Sequence, residues 1–132
     1  MISLLLSLAQ VAPLAAPADP VATTIAAIRA DPRKFDGKVV RLSGWVNRCA
    51  SLSCAIEERA PSAPGGAGQR LSIATDAGFD AIVGPLLPTP VEFDARLDAG
   101  CLTVQVCTDR APVLTIVRLR SVVSLEPPPV EN

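Results

Sequence analysis

Several segments of the chain alternate between hydrophobic and polar residues, which is the pattern of a strand with one buried face. The clearest is VEFDARLD, residues 91–98. Because neighbouring side chains in a strand point to opposite faces, this segment predicts a half-buried strand. Its inward residues would be Val91, Phe93, Ala95 and Leu97, and its outward residues Glu92, Asp94, Arg96 and Asp98.

Four other segments are typical of strands, which gives five in all. The run VVRLSGWVN, residues 39–47, has Gly44 near its centre, where a glycine indicates a bend or bulge that lets a sheet curl tightly. The segment from Val113 to about Leu125 is long enough to bend and pair with two neighbours. Residues 60–69, rich in Pro and Gly, predict a flexible loop. The other two predicted strands are residues 54–59 and a short one that begins at Leu71.

Two segments have the spacing of helices instead. The first, residues 21–30, predicts a short helix with a threonine cap, ended by a proline. The residues concerned are Thr23, Thr24, Ile25, Ile28 and Pro32. The second predicts an amphipathic helix that Asp76 can cap and that Gly84-Pro85 should break. Its apolar residues are Phe79, Ile82, Val83, Leu86 and Leu87.

The first 18 residues carry no charged side chain, and most of the run from Ile2 to Leu8 is apolar. Prolines interrupt the segment, which is too short for a membrane span of about 20 residues. Ala16 and Ala18 supply an A-x-A-like site, so the segment predicts a signal peptide cleaved after Ala18, or after Ala16. An uncleaved anchor or a disordered arm is the alternative. We therefore expect a periplasmic or secreted protein, with no stable membrane span after cleavage.

Export changes the interpretation of the four cysteines, because thiols in an oxidising compartment pair and stay paired. Two disulfides are expected, and the sequence permits three connectivities. Pairing within each short loop, Cys49 with Cys54 and Cys101 with Cys107, is preferred, and cross-pairing between the loops is the alternative. Neither spacing is the C-x-x-C of zinc ribbons, which argues against a metal site.

Composition narrows the possible chemistry. The 132 residues include no histidine and carry a formal net charge of -1. Without imidazole there is no Ser-His-Asp or Cys-His nucleophile pair and no histidine general base. Near-neutral charge, with one Trp, three Phe and no Tyr, argues against strong nucleic-acid binding. We therefore expect no catalysis, metal or cofactor.

Residues 30–46, ADPRKFDGKVVRLSGWV, resemble the opening of small bacterial exported OB-fold proteins, in which a short helix and a D-G-K turn lead into a bent, glycine-containing strand. The predicted order of strands and helices fits the same family from about Thr24 to Leu125. The resemblance implies a mainly β fold, a five-stranded Greek-key barrel with a short N-terminal helix and a helix between strands 3 and 4. The domain would span residues 19–125, followed by a disordered Pro-rich tail at 126–132.

Many OB-folds bind ligands on the face of strands 2 and 3, between the loops that join strands 1 to 2 and strands 4 to 5. The resemblance implies that one cysteine pair lies in each of these loops. The disulfides would then either replace missing core, as in many small exported domains, or pre-organise a binding rim. The second loop is also expected to hold a small hairpin arm, because alternation recurs at Leu102, Val104 and Val106.

Six side chains are candidates for ligand contact. Trp45 can stack on a base or sugar, or pack in the core. Five arginines would suit phosphate, carboxylate or an acidic partner if they converge. The alternative is alternating surface charge, paired with Glu57, Glu58 and Asp94 across the sheet. The five are Arg41, Arg59, Arg70, Arg118 and Arg120.

The function expected from this pattern is that of an exported, non-catalytic binding or interaction module, acting through the face between its two disulfide-stapled loops. Its partner would be a protein or an envelope component. An oligonucleotide- or oligosaccharide-binding domain using Trp45 and the five arginines is the alternative. A carboxylate-dependent hydrolase would need two carboxylates about 5 to 10 Å apart. Nothing in the sequence brings Glu57 or Glu58 together with Asp94, Asp98 or Asp109.

Overall fold

A computed structural model describes residues 19–103 and 112–122. The predicted signal peptide, the tail, Cys107, and the Val104 and Val106 positions of the predicted hairpin arm lie outside the described residues. Within the described part, the chain is mainly β, as expected. Its strands are β1 (Val21–Ala22), β2 (Val39–Ala50), β3 (Ser53–Glu57), β4 (Arg70–Ala74), β5 (Thr89–Leu97) and β6 (Leu114–Val122).

The helices are short, and the predicted caps begin two of them. Thr24 Oγ1 accepts a hydrogen bond from the Ala27 amide at 3.1 Å, and Asp76 Oδ1 accepts one from the Phe79 amide at 2.7 Å. No helix within the described ranges is long and apolar enough to cross a membrane. The helices are α1 (Ile25–Ala30), α2 (Ala77–Val83) and α3 (Gly100–Thr103), with 3₁₀ turns at Pro32–Phe35 and Gly84–Leu86.

The sheet closes in a ring because β2, which has 12 residues, pairs along both of its edges. One edge pairs antiparallel with β5, from Val39 opposite Arg96 to Val46 opposite Thr89. The other edge pairs parallel with β1 near its start and antiparallel with β3 at its end. β3 pairs with β4, β4 with β6 in parallel, and β6 with β5. The last strand thus pairs with two neighbours, as its length predicted.

Strand β1 was not predicted from the sequence, and the helix expected over residues 21–30 is shorter than expected. Val21 and Ala22 extend along β2, and the amide of Thr23 still donates to the carbonyl of Arg41 at 3.1 Å. The helix begins only at Ile25. Two residues are too few to show an alternating pattern, so the sequence contained no periodic signal for this strand.

The inner face of the ring forms the hydrophobic core. The predicted inward residues of β5 are all buried, and Phe93 is fully so. Its ring meets that of Phe79 from α2 edge to face, with 6.5 Å between centroids, a favourable aromatic geometry. The described core includes Val40, Leu42, Val46, Ile56, Leu71, Ile73, Ile25 and Ile28.

Two predictions about apolar positions were wrong. Ile82 and Leu86 were expected to face the core, but 54% and 44% of their surface is exposed. Leu86 lies beyond α2, which ends at Val83 where Gly84-Pro85 stops it, whereas Ile82 lies within α2 but outside its narrow buried face. Leu102 lies in α3 rather than in a hairpin arm, since Gly100–Thr103 coil into one helical turn.

Gly44 is buried and lets β3 approach β2 closely. A Cβ atom at this position would lie 2.6 Å from the backbone oxygen of Glu57 and 2.8 Å from Cγ1 of Ile56. The irregularity expected at Gly44 lies further along β2, where the register with β3 shifts between Val46 and Cys49. The glycine therefore provides space for a neighbouring strand, and the bulge follows it.

Candidate functional site

The first cysteine pair forms the predicted disulfide. Cys49 and Cys54 are bonded and are register partners, with 4.2 Å between their Cα atoms. Both cysteines were expected in the loop between the strands, but they lie inside β2 and β3. The turn between these strands occupies only residues 51–52. Cys101, in α3, is also disulfide-bonded.

The tip of this hairpin is attached to the start of α2. Leu52, whose φ is positive at 57°, donates its amide proton to Asp80 Oδ2 at 2.9 Å. The carbonyl of Leu52 accepts from the Thr75 amide at 3.0 Å. Asp80 Oδ1 in turn accepts from the Thr75 hydroxyl at 2.6 Å. The turn is therefore held by a disulfide on one side and by two hydrogen bonds on the other, and the third bond joins the two residues that hold it.

Beside this disulfide, the outer face of β3 and β4 forms an open cavity of about 570 Å³, here called the Arg48–Arg70 cavity. Its floor consists of small residues, and no carboxylate lines it. Neither of its guanidinium groups forms an ion pair or side-chain hydrogen bond within the described chain. The lining includes Arg48, Ser51, Ser53, Ala55, Arg70 and Ser72.

The backbone of Arg70 is fixed from α1. The guanidinium of Arg29 donates to the carbonyl oxygen of Arg70 through Nε at 2.9 Å and through Nη2 as well. Because these bonds use the backbone of Arg70, its own guanidinium stays available at the surface. Hydrogen bonds donated by a charged group are stronger than hydrogen bonds between neutral groups. The first residue of β4 is therefore held in place from outside the sheet.

Three of the five predicted arginines meet at a different place, on β2, β5 and β6. Arg41, Arg118 and Arg120 line a cavity of about 400 Å³ together with Asp94 and Arg96. The two cavities share only β2. This cavity lies at the start of β2, and the Arg48–Arg70 cavity lies at its end.

Asp94 was expected to point to solvent, but its side chain is only 6% exposed. Asp94 does lie at an outward position of β5, as predicted, but two arginines cover its carboxylate. Arg41 Nε lies 2.9 Å from Oδ1, and Arg120 Nη1 lies 3.5 Å from Oδ2. Arg120 also reaches Glu92, with 3.2 Å between Nε and Oε1. Cross-strand charge pairing, the alternative considered for these arginines, is thus present here.

This pairing affects the acidity of Arg41. The hydrogen bond to Asp94 raises the pKa of the Arg41 guanidinium above its ordinary value; desolvation opposes this shift, and the negative charges of Asp94, Glu92 and Asp19 add to it. The guanidinium therefore stays protonated throughout the range in which proteins fold.

The other predicted contacts lie apart. Arg59 is held at the loop after β3, where its guanidinium donates to the Gly66 carbonyl at 3.0 Å and lies 3.4 Å from Glu58. Trp45 is partly buried on β2 and lines a separate cavity of about 310 Å³ with Pro90 and Glu92. The structure thus divides the six candidates between several surfaces rather than one groove.

Sequence reasoning missed Arg48 and Asp80. Arg48 precedes a cysteine in the chain, and the cysteine was the available signal for its position.

No group of three or more potential metal ligands occurs among the residues that the structure describes. No protein-family model matches the chain, and no curated protein matches it. Its function is therefore inferred from its own residues.

Proposed function

We propose that this chain is an exported, non-catalytic binding module that engages its partner through the outer face of β3 and β4. The observation that carries the proposal is the position of the Cys49–Cys54 disulfide directly beside an open cavity with two arginines that form no ion pair with any described residue. The partner is a protein or another component of the cell envelope.

The ring of strands supports assignment of an OB-fold-like barrel. Its order, β2-β3-β4-β6-β5 and back to β2, is what a five-stranded closed Greek-key sheet requires. The parallel pairing of β4 with β6 and the position of α2 between β4 and β5 agree with the same assignment. In such a barrel, β3 and β4 correspond to strands 2 and 3, whose outer face commonly binds ligands.

Rigidity is the second support for a binding role. A surface that is already ordered loses less entropy when a partner binds, so a pre-organised face binds more tightly for the same contacts. The hairpin beside the cavity is fixed by the disulfide and by Asp80, and the start of β4 is fixed by Arg29. Small side chains on the floor leave room for a partner to approach the backbone.

Export is supported by the pattern of residues 1–18 and by the oxidised state of Cys49, Cys54 and Cys101. Oligonucleotide or oligosaccharide binding through Trp45 has less support, because the arginines that it requires lie on separate surfaces and three of them have carboxylate partners.

The proposal can be tested by replacing Ala55 with a photo-crosslinking residue in the full chain. Ala55 lies on the floor of the Arg48–Arg70 cavity, and Ile82, exposed on α2, is the matched control position. We expect a discrete crosslinked partner in the envelope fraction from position 55 and none from position 82. Equal crosslinking at both positions, or none at position 55, would overturn the proposed binding face.

The export part has a separate measurement. Intact mass spectrometry of the unreduced protein should show a chain cleaved after Ala18 and four hydrogens lighter than the reduced form. A full-length chain with four free thiols in the cytoplasm would contradict export.

A further inference from the structure

We propose that Arg48 and Arg70 form a binding site for a phosphoryl group on the outer face of β3 and β4. The inference rests on the proposed function, since it names the chemistry of the ligand that the same face would take. Phosphoryl groups carry negative charge and several acceptor oxygens, which a pair of guanidinium forks can bind in a bidentate manner.

A bulge brings Arg48 into this site. Val46 pairs with Ile56 and Cys49 pairs with Cys54, so two residues of β2 lie opposite the single residue Ala55. A bulge changes the direction in which side chains point along a strand, and bulges frequently re-aim a side chain at a binding site. Arg48 is exposed and lines the same cavity as Ala55.

The two arginines lack the carboxylate partner that three other arginines of the described chain have. Arg41 and Arg120 are bound to Asp94, and Arg59 to Glu58. Arg48 and Arg70, by contrast, form no ion pair within the described chain. The cavity consequently has two positive charges that its own lining does not neutralise.

Glu57 is the carboxylate that could have neutralised Arg70, because the two residues are register partners on β3 and β4. Glu57 forms no ion pair with Arg70, however, and it does not line the cavity. A single anion placed between Arg48 and Arg70 would therefore meet two guanidinium groups and no acidic side chain in the lining of the cavity itself.

Hydroxyl groups supply the remaining donors. Ser51, Ser53 and Ser72 line the cavity, and none of the three hydroxyls has a hydrogen-bond partner within the described chain. A hydroxyl can rotate to donate to a phosphoryl oxygen. The small side chain of Ala55 leaves the floor open to a group of this size.

Both arginines are attached to fixed backbone. Arg48 is adjacent to Cys49 of the disulfide, and the carbonyl of Arg70 is bound by the guanidinium of Arg29. Binding would therefore order the two side chains but not the strands that carry them, which lowers the entropic cost. The same phosphoryl chemistry occurs in a soluble phosphate ester and in the head group of an anionic phospholipid, and the test below distinguishes them.

The experiment uses the exported, oxidised protein and its Arg48→Gln plus Arg70→Gln double variant. The matched control is Arg118→Gln, which removes an exposed arginine without an ion-pair partner in the described chain from the other cavity. Inorganic phosphate and glycerol 3-phosphate are titrated while amide NMR signals are recorded. Parallel sedimentation uses phosphatidylcholine vesicles with and without phosphatidylglycerol.

We expect saturable shifts at Ser53, Ala55 and Ser72, and a loss of affinity of about tenfold or more in the double variant, since each charge-assisted hydrogen bond contributes strongly to binding. The Arg118→Gln protein should bind as the parent does. Saturation by the soluble probes alone identifies a soluble ligand, and selective sedimentation with phosphatidylglycerol identifies a lipid head group.

Shifts spread over both cavities, an equal loss in Arg118→Gln, or no binding of any of these probes would overturn the inference. If the probes fail while position 55 still crosslinks an envelope partner, the binding face stands and its phosphoryl chemistry is wrong. If both fail, the face itself is not a binding surface. Retained disulfides and an unchanged NMR fingerprint in the double variant exclude misfolding as the reason for lost binding.

Discussion

Replacing Gly44 with alanine tests whether the ring depends on the close approach of β2 and β3. The added Cβ atom would lie 2.6 Å from the backbone oxygen of Glu57, and 2.8 and 2.9 Å from two carbons of Ile56. These separations are below van der Waals contact. The backbone oxygen belongs to a paired strand and Ile56 is fully buried, so neither neighbour can move without disturbing the core.

The expected cost follows from two opposing effects. Forcing an extra methyl group into a packed region costs roughly 1–3 kcal/mol. Removing the flexibility of a glycine from a strand returns about 0.5–1 kcal/mol. Taking the middle of each range, we therefore expect the free energy of unfolding of Gly44→Ala to fall by about 1 kcal/mol, with a decrease in Tm of about 4 °C or more. Thermal and urea unfolding, followed by circular dichroism, measure both quantities.

Gly84→Ala is the matched control. Gly84 has ordinary helical angles, φ -51° and ψ -47°, and apart from its two chain neighbours nothing lies within 4 Å of its added Cβ atom. The same chemical change should there be close to neutral, because the restriction of the unfolded chain by alanine is offset by the strain of a Cβ atom in the α region before Pro85. A Gly44→Ala protein at least as stable as the parent would refute the argument, and equal destabilisation at both positions would show that local crowding is not the cause.

Three further predictions concern the residues that fix the strands and helices. Replacing both Cys49 and Cys54 with serine should lower the free energy of unfolding by about 2 kcal/mol, given the short separation of 5 positions, and an unchanged urea midpoint would contradict this. Asp76→Ala should cost about 1 kcal/mol through loss of the α2 cap, whereas Asp76→Asn should stay near the parent in the same assay. Asp94→Asn should lower Tm more than Glu57→Gln, whose carboxylate has no ion pair in the described chain; equal Tm values would mean that the arginines over Asp94 add no stability.

Hydrophobic alternation predicted the strands that have five or more residues, because a period of two needs several repeats to be recognised. β1 has two residues and was missed for that reason. The predicted break of the second helix at Gly84-Pro85 is confirmed, since α2 ends at Val83. The burial of Ile82 and Leu86 was predicted wrongly, because helical spacing does not show how narrow the buried face of a short helix is.

The candidate site was less predictable, because it depends on the register between strands. Strict alternation from the buried Val46 would turn Arg48 inward, and only the bulge before Cys49 turns it toward the cavity. Alternation within one strand contains no information about such a shift. The separation of Arg41 from Arg70 is likewise a consequence of which strands become neighbours, so the sequence could suggest that arginines converge but not which ones do.

Energetic comparison indicates what the Cys49–Cys54 disulfide contributes. A bridge that closes so short a loop adds at most about 2 kcal/mol by restricting the unfolded chain. Burying a single Leu, Ile or Phe side chain contributes roughly 1.5–3 kcal/mol, and the described core holds many such residues. The disulfide is therefore equivalent to about one core residue, which is a small effect for a chain whose core is already closed by a ring of strands. Its larger effect is local, because it fixes the hairpin next to Arg48 and so determines the shape of the face that we propose binds a partner.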